Sequence, residues 1–155
     1  MGRMTETPPV LQLRVVVEAE DYDDAVRFYR DVLGLPERIA YARGGDDRVS
    51  ILEAGRATLE IASPGHKKAI DAVEADGKES PRIRLAFEVT DSEGTTRRLE
   101  AAGATVVAEP VLTPWKSLNS RLEAPAGLTI TLFQETMPEE QLPELDGFAK
   151  DSERD

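Results

Sequence analysis

A nine-residue pattern occurs twice in this chain of 155 residues, and the repeat limits the folds that the sequence can adopt. Residues 13–21 read LRVVVEAED and residues 83–91 read IRLAFEVTD, which share the order apolar, Arg, apolar, small, apolar, Glu, apolar, any residue, Asp. Alternation of apolar and polar residues with a period of two is typical of a strand. The closing Asp can cap a helix by accepting a backbone N–H. Each copy therefore predicts a strand followed by a helix.

The segments after each copy continue in the same order. Apolar residues at spacings of three and four predict a helix over 21–34, with Gly34 as its left-handed cap, and a second helix over 91–103. Turn-forming Gly, Pro and Asp residues then divide each half into three short strands. The sequence thus predicts an α+β fold made of two strand–helix–strand–strand–strand (βαβββ) modules. The predicted short strands are 37–42, 48–53 and 57–62 in the first half, and 104–109, 118–123 and 128–134 in the second.

Three segments of the chain lie outside the two predicted modules: one before them, one between them and one after them. One of them, the linker between the modules, contains a predicted short helix over Lys67–Ala75. The last segment is rich in acidic residues, which predicts a solvated tail. The predicted organisation is an N-terminal extension (1–10), the first module (11–63), the linker (64–80), the second module (81–134) and the acidic tail (135–155).

Composition excludes several classes of function. A net charge of −11 without a basic face disfavours nucleic-acid binding, because phosphates require cationic partners. No apolar run is long enough to cross a membrane and no signal-peptide pattern begins the chain, so we expect a cytoplasmic protein. The lack of cysteine excludes disulfides, a thiolate nucleophile and cysteine–zinc sites. The single histidine, His66, provides no His pair for a metal, and we expect it to be an exposed residue of the linker.

Two segments and the order of elements resemble a known superfamily. Residues 21–35 (DYDDAVRFYRDVLGL) and 124–133 (APAGLTITLF) are similar to segments of the vicinal oxygen chelate superfamily, which includes glyoxalase I, bleomycin-resistance proteins and extradiol dioxygenases. The resemblance covers about residues 11–134. It implies two βαβββ modules whose mixed sheet curls into a cup, with helices on the outer face and a ligand site inside. By the same analogy we expect a homodimer.

Both copies of the repeat separate a charged face from an apolar face. On the residues alone, the charged face fits either a solvent-exposed side of the sheet or the lining of the cup. The apolar face of the first strand is predicted to pack under the helix that follows it. The charged faces carry Arg14 and Glu18 in the first copy and Arg84 and Glu88 in the second, whereas Leu13, Val15 and Val17 form the first apolar face.

The resemblance implies where metal ligands would lie, and the residues there are unsuitable. Metal-using members take ligands from the first and last strand of each module, which correspond here to Arg14, Glu60, Arg84 and Thr131. An arginine offers no lone pair to a cation, and one carboxylate with one hydroxyl does not make a transition-metal site. We therefore predict no metal and no other cofactor. Glu60 is the only candidate catalytic group, and neighbouring arginines would lower its pKa and weaken it as a base.

Two interpretations of these four residues remain open. Glu60 can be gripped by one or both arginines in a salt-bridge plug, or a spare guanidinium can clamp an anionic ligand, with Glu18 and Glu88 close enough to reduce its charge. Trp115, in a Pro-bounded loop, and Phe133, with the same parity as Thr131, are further candidates for contact with a ligand. The sequence favours a metal-free binding protein for a small molecule, a drug or a metabolite, as in bleomycin-resistance proteins. The alternative is an enzyme of the superfamily, a lyase, isomerase or dioxygenase, acting on a small organic substrate.

Overall fold

The computed structural model describes residues 9, 11–138 and 140–141 and has the predicted α+β architecture. Most of the predicted N-terminal extension and of the acidic tail lies outside these residues. A π-helical segment, Arg27–Val32, continues the first helix, and a 3-10 turn, Pro125–Gly127, joins the last two strands. In chain order the elements are α1 (Tyr22–Val26), β1 (Glu37–Gly44), β2 (Asp47–Leu52), α2 (Pro64–Ala75), β3 (Leu85–Glu88), α3 (Ser92–Ala101), β4 (Thr105–Leu112), β5 (Ser117–Ala124) and β6 (Leu128–Glu135).

The second half of the chain forms its elements in the order that the repeat predicts. Its four strands build one mixed sheet in the order β3-β6-β5-β4, with β3 parallel to β6 and the other neighbours antiparallel. The crossover helix α3 begins where Asp91 accepts a hydrogen bond from the backbone N–H of Gly94 at 3.0 Å, as the capping prediction requires.

The four-stranded sheet has one apolar face and one polar face. Arg121 lies opposite Thr131 in the β5–β6 register, and Leu122 lies opposite Ile130, so the two pairs point to opposite sides. The apolar side carries the main core, in which side chains of the sheet pack against α3 and against the helix of the first half. This core consists of Phe28, Tyr29, Leu99, Ala104, Leu122, Ile130 and Leu132.

The helix predicted over 21–34 is attached to the second sheet rather than to its own. Asp21 caps α1 by accepting from the backbone N–H of Asp24 at 3.1 Å, and Gly34 has the predicted left-handed conformation, at φ +98°. Phe28 and Tyr29 are buried in the main core, and the Tyr29 hydroxyl donates to the Pro125 carbonyl at 2.8 Å. The apolar side of this helix is therefore used by the second half of the chain.

The first half departs from prediction at its two ends. β1 and β2 form a separate two-stranded hairpin, while the strand predicted within 13–21 and the strand predicted at 57–62 have no strand structure. Leu13 and Val15 were expected under the helix but are 47% and 57% exposed. The physical reason is that the helix predicted to cover the first strand packs on the second sheet, so these segments bury no apolar surface against it.

The linker helix α2 covers the polar face of the four-stranded sheet. It begins three residues earlier than predicted, where the Ser63 hydroxyl accepts from the backbone N–H of His66, and it ends at Ala75 as predicted. The sheet thus has helices on both faces, whereas the resemblance implied helices on the outer face alone. No helix in the described part of the chain combines the length and the apolar character needed to span a membrane.

We expect Phe28→Ala to destabilise the protein by about 3–5 kcal/mol, because it leaves a cavity in the main core. Val15→Ala serves as the control and should change the free energy of unfolding by less than about 0.5 kcal/mol, since Val15 is exposed. Urea unfolding followed by circular dichroism measures both values. Equal losses in the two variants would contradict this packing.

Candidate functional site

A buried polar cluster lies between α2 and the four-stranded sheet. Its central residue is Arg121 of β5, which is 1% exposed and lies between Asp71 and Glu74 of α2. Both carboxylates are buried as well, at 4% and 2% exposure. Side chains that carry full charge are rarely buried unless they are paired, so this cluster is the main electrostatic feature of the fold.

The Glu74 carboxylate accepts three hydrogen bonds from the sheet. Oε1 accepts from Arg121 Nε at 2.9 Å and from Thr131 Oγ1 at 2.7 Å, and Oε2 accepts from Asn119 Nδ2 at 2.8 Å. Arg84, just before β3, donates from Nη1 to Thr131 Oγ1 at 2.7 Å and lies 3.9 Å from Glu74 Oε1. Two guanidiniums and two neutral donors therefore converge on one carboxylate.

Asp71 holds the other side of the Arg121 guanidinium. Its Oδ1 lies 3.0 Å from Arg121 Nη1, an ion-pair contact without a well-aligned hydrogen bond, and its Oδ2 accepts from the backbone N–H of Ser80 at 3.1 Å. Burial raises the pKa of Asp71, but hydrogen bonding from Ser80 and contact with Arg121 outweigh burial and lower the pKa to about 2. Lys67 Nζ lies 3.3 Å from Oδ2 at the edge of the cluster. Asp71 therefore remains ionised at neutral pH.

Two of the predicted site residues meet in this cluster. Arg84 and Thr131 are hydrogen-bonded to each other, at two of the positions where the resemblance implied metal ligands. Phe133 is half-buried and lies opposite the exposed Glu88 in the β3–β6 register. Trp115 is half-buried in the turn between β4 and β5, with its ring centroid 6.5 Å from that of His66.

The other predicted residues lie outside the cluster. Glu18 and Glu60 are exposed, in the segments that do not form strands. Arg14 is exposed too and donates from Nε to Gln12 Oε1 at 2.7 Å. The carboxylate beside Arg84 is therefore Glu74, not Glu60. The cause is the missing strand at 57–62, whose alternation was to place Glu60 on the sheet.

The residues that organise the cluster were not identified from the sequence. The signal was present in β5, where Ser117, Asn119 and Arg121 alternate with Leu118 and Leu122 in a strand that lies between two others. Polar residues on one side of an interior strand need buried partners. Asp71 and Glu74 supply them, since residues three apart lie on the same side of a helix.

Comparison with known proteins identifies the family. Residues 14–133 match the family model described as a glyoxalase-like domain. The chain belongs to this family. It is therefore a member of the vicinal oxygen chelate superfamily, as the resemblance of its segments implied. No curated protein is a significant match to the chain.

Several solved structures are similar to this chain at low sequence identity. A member of the glyoxalase/bleomycin resistance protein/dioxygenase superfamily from Sphaerobacter thermophilus DSM 20745 is 19% identical, with a TM-score of 0.50 over 77% of this chain and 92% of that one. A hypothetical protein from S. aureus is 14% identical, with a TM-score of 0.54 over 82% and 95%. A lactoylglutathione lyase from Agrobacterium tumefaciens is 22% identical, with a TM-score of 0.49 over 83% and 96%. At these identities the first two similarities show the fold alone.

The residues of this glyoxalase-like chain do not fit the metal site that the resemblance implied for metal-using members. Among the described residues, no group of three or more His, Cys, Asp or Glu side chains is placed to hold a metal ion. The two buried carboxylates are held by Arg121, and a guanidinium cannot coordinate a cation. A metal ion in the place of the Arg121 guanidinium would also lie beside the Arg84 guanidinium, whose positive charge would repel it.

We expect Asp71→Asn to lower the free energy of unfolding by about 2 kcal/mol between pH 5 and pH 7, the value that corresponds to the lowered pKa. The folded-state pKa of Asp71, about 2, lies below the ordinary aspartate value of 3.8. The stabilisation by the ionised group is therefore present above about pH 4 and is lost as the pH falls towards 2.

Urea unfolding of both proteins from pH 6 to pH 2.5 measures this difference, which should fall to about half near pH 3. Asp46→Asn is the control, since the Asp46 side chain is 97% exposed. A difference that stays constant over the whole pH range would contradict the assignment of the stabilisation to the ionised Asp71 carboxylate.

Proposed function

We propose that this glyoxalase-like protein is a metal-free binding protein for a small organic molecule, a drug or a metabolite, in the cytoplasm. The observation that carries the proposal is the hydrogen bond between Arg84 and Thr131 at 2.7 Å. These residues occupy positions where the resemblance implies metal ligands, and they form part of a network of fixed hydrogen-bond donors. Donors held in place by a sheet suit the polar group of an organic ligand.

The sheet also offers apolar surface beside these donors. Phe133 is half-buried on β6 and shares the side of the sheet on which Thr131 lies. Trp115 is half-buried beyond the end of the same sheet, next to the N-terminal turn of α2. A pocket that binds a small molecule combines apolar walls with a few polar groups. We therefore propose Arg84, Thr131, Phe133 and Trp115 as the residues that contact the ligand, with Glu88 at the edge.

We propose a homodimer in which the exposed segments of the first half are covered. Leu11, Val16 and Ile61 are 78%, 90% and 86% exposed, and a concentration of exposed apolar side chains marks an interaction surface. Arg14, Glu18 and Glu60 lie in the same segments and would reach a ligand through this assembly. Sedimentation equilibrium at micromolar concentration should give about twice 17.0 kDa, and a species of 17.0 kDa alone would contradict the dimer.

Metal analysis of the purified protein separates a binding protein from a metal-dependent lyase, isomerase or dioxygenase. The protein is incubated with Zn²⁺, Ni²⁺, Fe²⁺ or Mn²⁺ and then dialysed to remove unbound metal. We expect it to retain less than about one tenth of an equivalent of metal, because the donor set is unsuitable. Retention of one equivalent of metal would reject the proposed function.

A thermal-shift screen with planar aromatics, small organic acids and cationic antibiotics identifies the ligand class, because a ligand of the folded state raises the melting temperature. Arg84→Ala should then weaken the binding of a ligand found in this way by about 2–5 kcal/mol, since its polar group loses a charged partner. Arg97→Ala, which removes a half-exposed guanidinium on α3, is the matched control. Equal affinity of wild type and Arg84→Ala would remove Arg84 from the site.

A further inference from the structure

The sheet holds the Glu74 side chain in the way that a binding site holds a carboxylate ligand. Arg121, Thr131 and Asn119 donate to its two oxygens at 2.9, 2.7 and 2.8 Å. A second guanidinium, that of Arg84, lies 3.9 Å from Oε1. Hydrogen bonds from an arginine to a carboxylate are charge-assisted and are stronger than hydrogen bonds between neutral groups.

The donors and the carboxylate belong to different parts of the fold. Arg121 and Asn119 lie on β5 and Thr131 lies on β6, the two interior strands of the four-stranded sheet, whose other face carries the main core. Their positions are therefore set by strand pairing and by the core, independently of α2. The Glu74 carboxylate is supplied by α2, which lies over the polar face and also contacts Arg121 through Asp71.

The attachment of α2 to the sheet is mainly polar. Among its described side chains, the buried apolar ones are Ile70 and Ala75, and neither belongs to the main core. The segments on both sides of the helix, 53–63 and 76–79, are exposed. Elements with few buried apolar contacts open at a lower free energy than the core does. α2 can therefore separate from the sheet while α3 and the core remain folded.

We propose that Arg121, Asn119, Thr131 and Arg84 form a site for the carboxylate group of a small organic acid, and that Glu74 occupies this site in the ligand-free protein. α2 is then an internal cover, and a ligand carboxylate replaces the Glu74 carboxylate on the same donors. This inference deepens the proposed function and rests on it for the existence of a small-molecule ligand. It adds the chemical class of that ligand and the element that must move.

Removal of the Glu74 side chain tests the site directly. Glu74→Ala should lower the melting temperature by about 10 °C, because the buried Arg121 guanidinium loses one of its two carboxylate partners. Acetate has the two carbons and two oxygens that this substitution removes. Titration with sodium acetate should therefore restore about half of the lost melting temperature or more, with saturation. Sodium chloride at equal ionic strength should not.

Two controls separate a specific site from a general salt effect. Acetamide has the shape of acetate without its charge and should not restore the melting temperature of Glu74→Ala. Glu79→Ala removes an exposed glutamate near the same helix and should respond to acetate no more than wild type does. An equal response of Glu74→Ala to acetate, acetamide and chloride would overturn the carboxylate site.

A second variant keeps the shape of the residue and tests the cover. In Glu74→Gln, hydrogen exchange of α2 amides should become about tenfold faster or more than in wild type, while exchange in α3 stays unchanged. If the substitution changed the hydrogen-exchange rates of α2 and α3 equally, or changed neither, the role of α2 as a separate cover would be overturned. This measurement remains informative if Glu74→Ala does not fold.

The two proposals fail in different experiments. A thermal-shift screen without any ligand for the wild-type protein, combined with rescue of Glu74→Ala by acetate, would reject small-molecule binding as the function and leave the carboxylate site intact. A ligand from the screen that lacks an acidic group, combined with no rescue of Glu74→Ala by acetate, would reject the carboxylate site and leave small-molecule binding as the function.

Discussion

The contact between Arg121 and Glu74 determines how the two sides of this protein are joined. A guanidinium that is 1% exposed needs a carboxylate partner, since removal of either charge from a buried pair leaves the other without compensation. Arg121 comes from the centre of the sheet and Glu74 from the linker helix, so the pair fixes where α2 lies. Asp71, Asn119 and Thr131 surround this pair, and each of them contacts one of the two charges.

The two faces of the four-stranded sheet are stabilised by different interactions. On one face Phe28 and Leu99 pack with aliphatic side chains of β5 and β6, and burial of apolar area provides the stabilisation. On the other face, charges and hydrogen bonds hold α2, and a buried ion pair adds specificity of position more than net stability. In such a fold, the helix on the polar face can move relative to the sheet while the apolar core on the other face stays packed. This division is the physical basis for a ligand site beneath α2.

Sequence reasoning predicted the local structure well and the partners of the first half poorly. Asp21, Asp91 and Gly34 act as predicted, because a cap depends on neighbours within a few residues. The predictions of a strand within 13–21 and of a strand at 57–62 were wrong, since a strand requires a paired edge and alternation does not specify which edge. The boundaries of the modules and linker stay predictions.

The candidate site was predicted in part for the same reason. Register within one module brings Arg84 to Thr131, and the ligand positions that the resemblance implied had already placed these two residues together. The carboxylate between the arginines comes from the linker, and no spacing in the sequence indicates that α2 folds back onto the sheet.

A double-mutant cycle of Glu74→Gln and Arg121→Met measures the contact between Arg121 and Glu74 most directly, by urea unfolding at pH 7. We predict a coupling free energy of about 2 kcal/mol or more, whereas a value below about 0.5 kcal/mol would contradict the account.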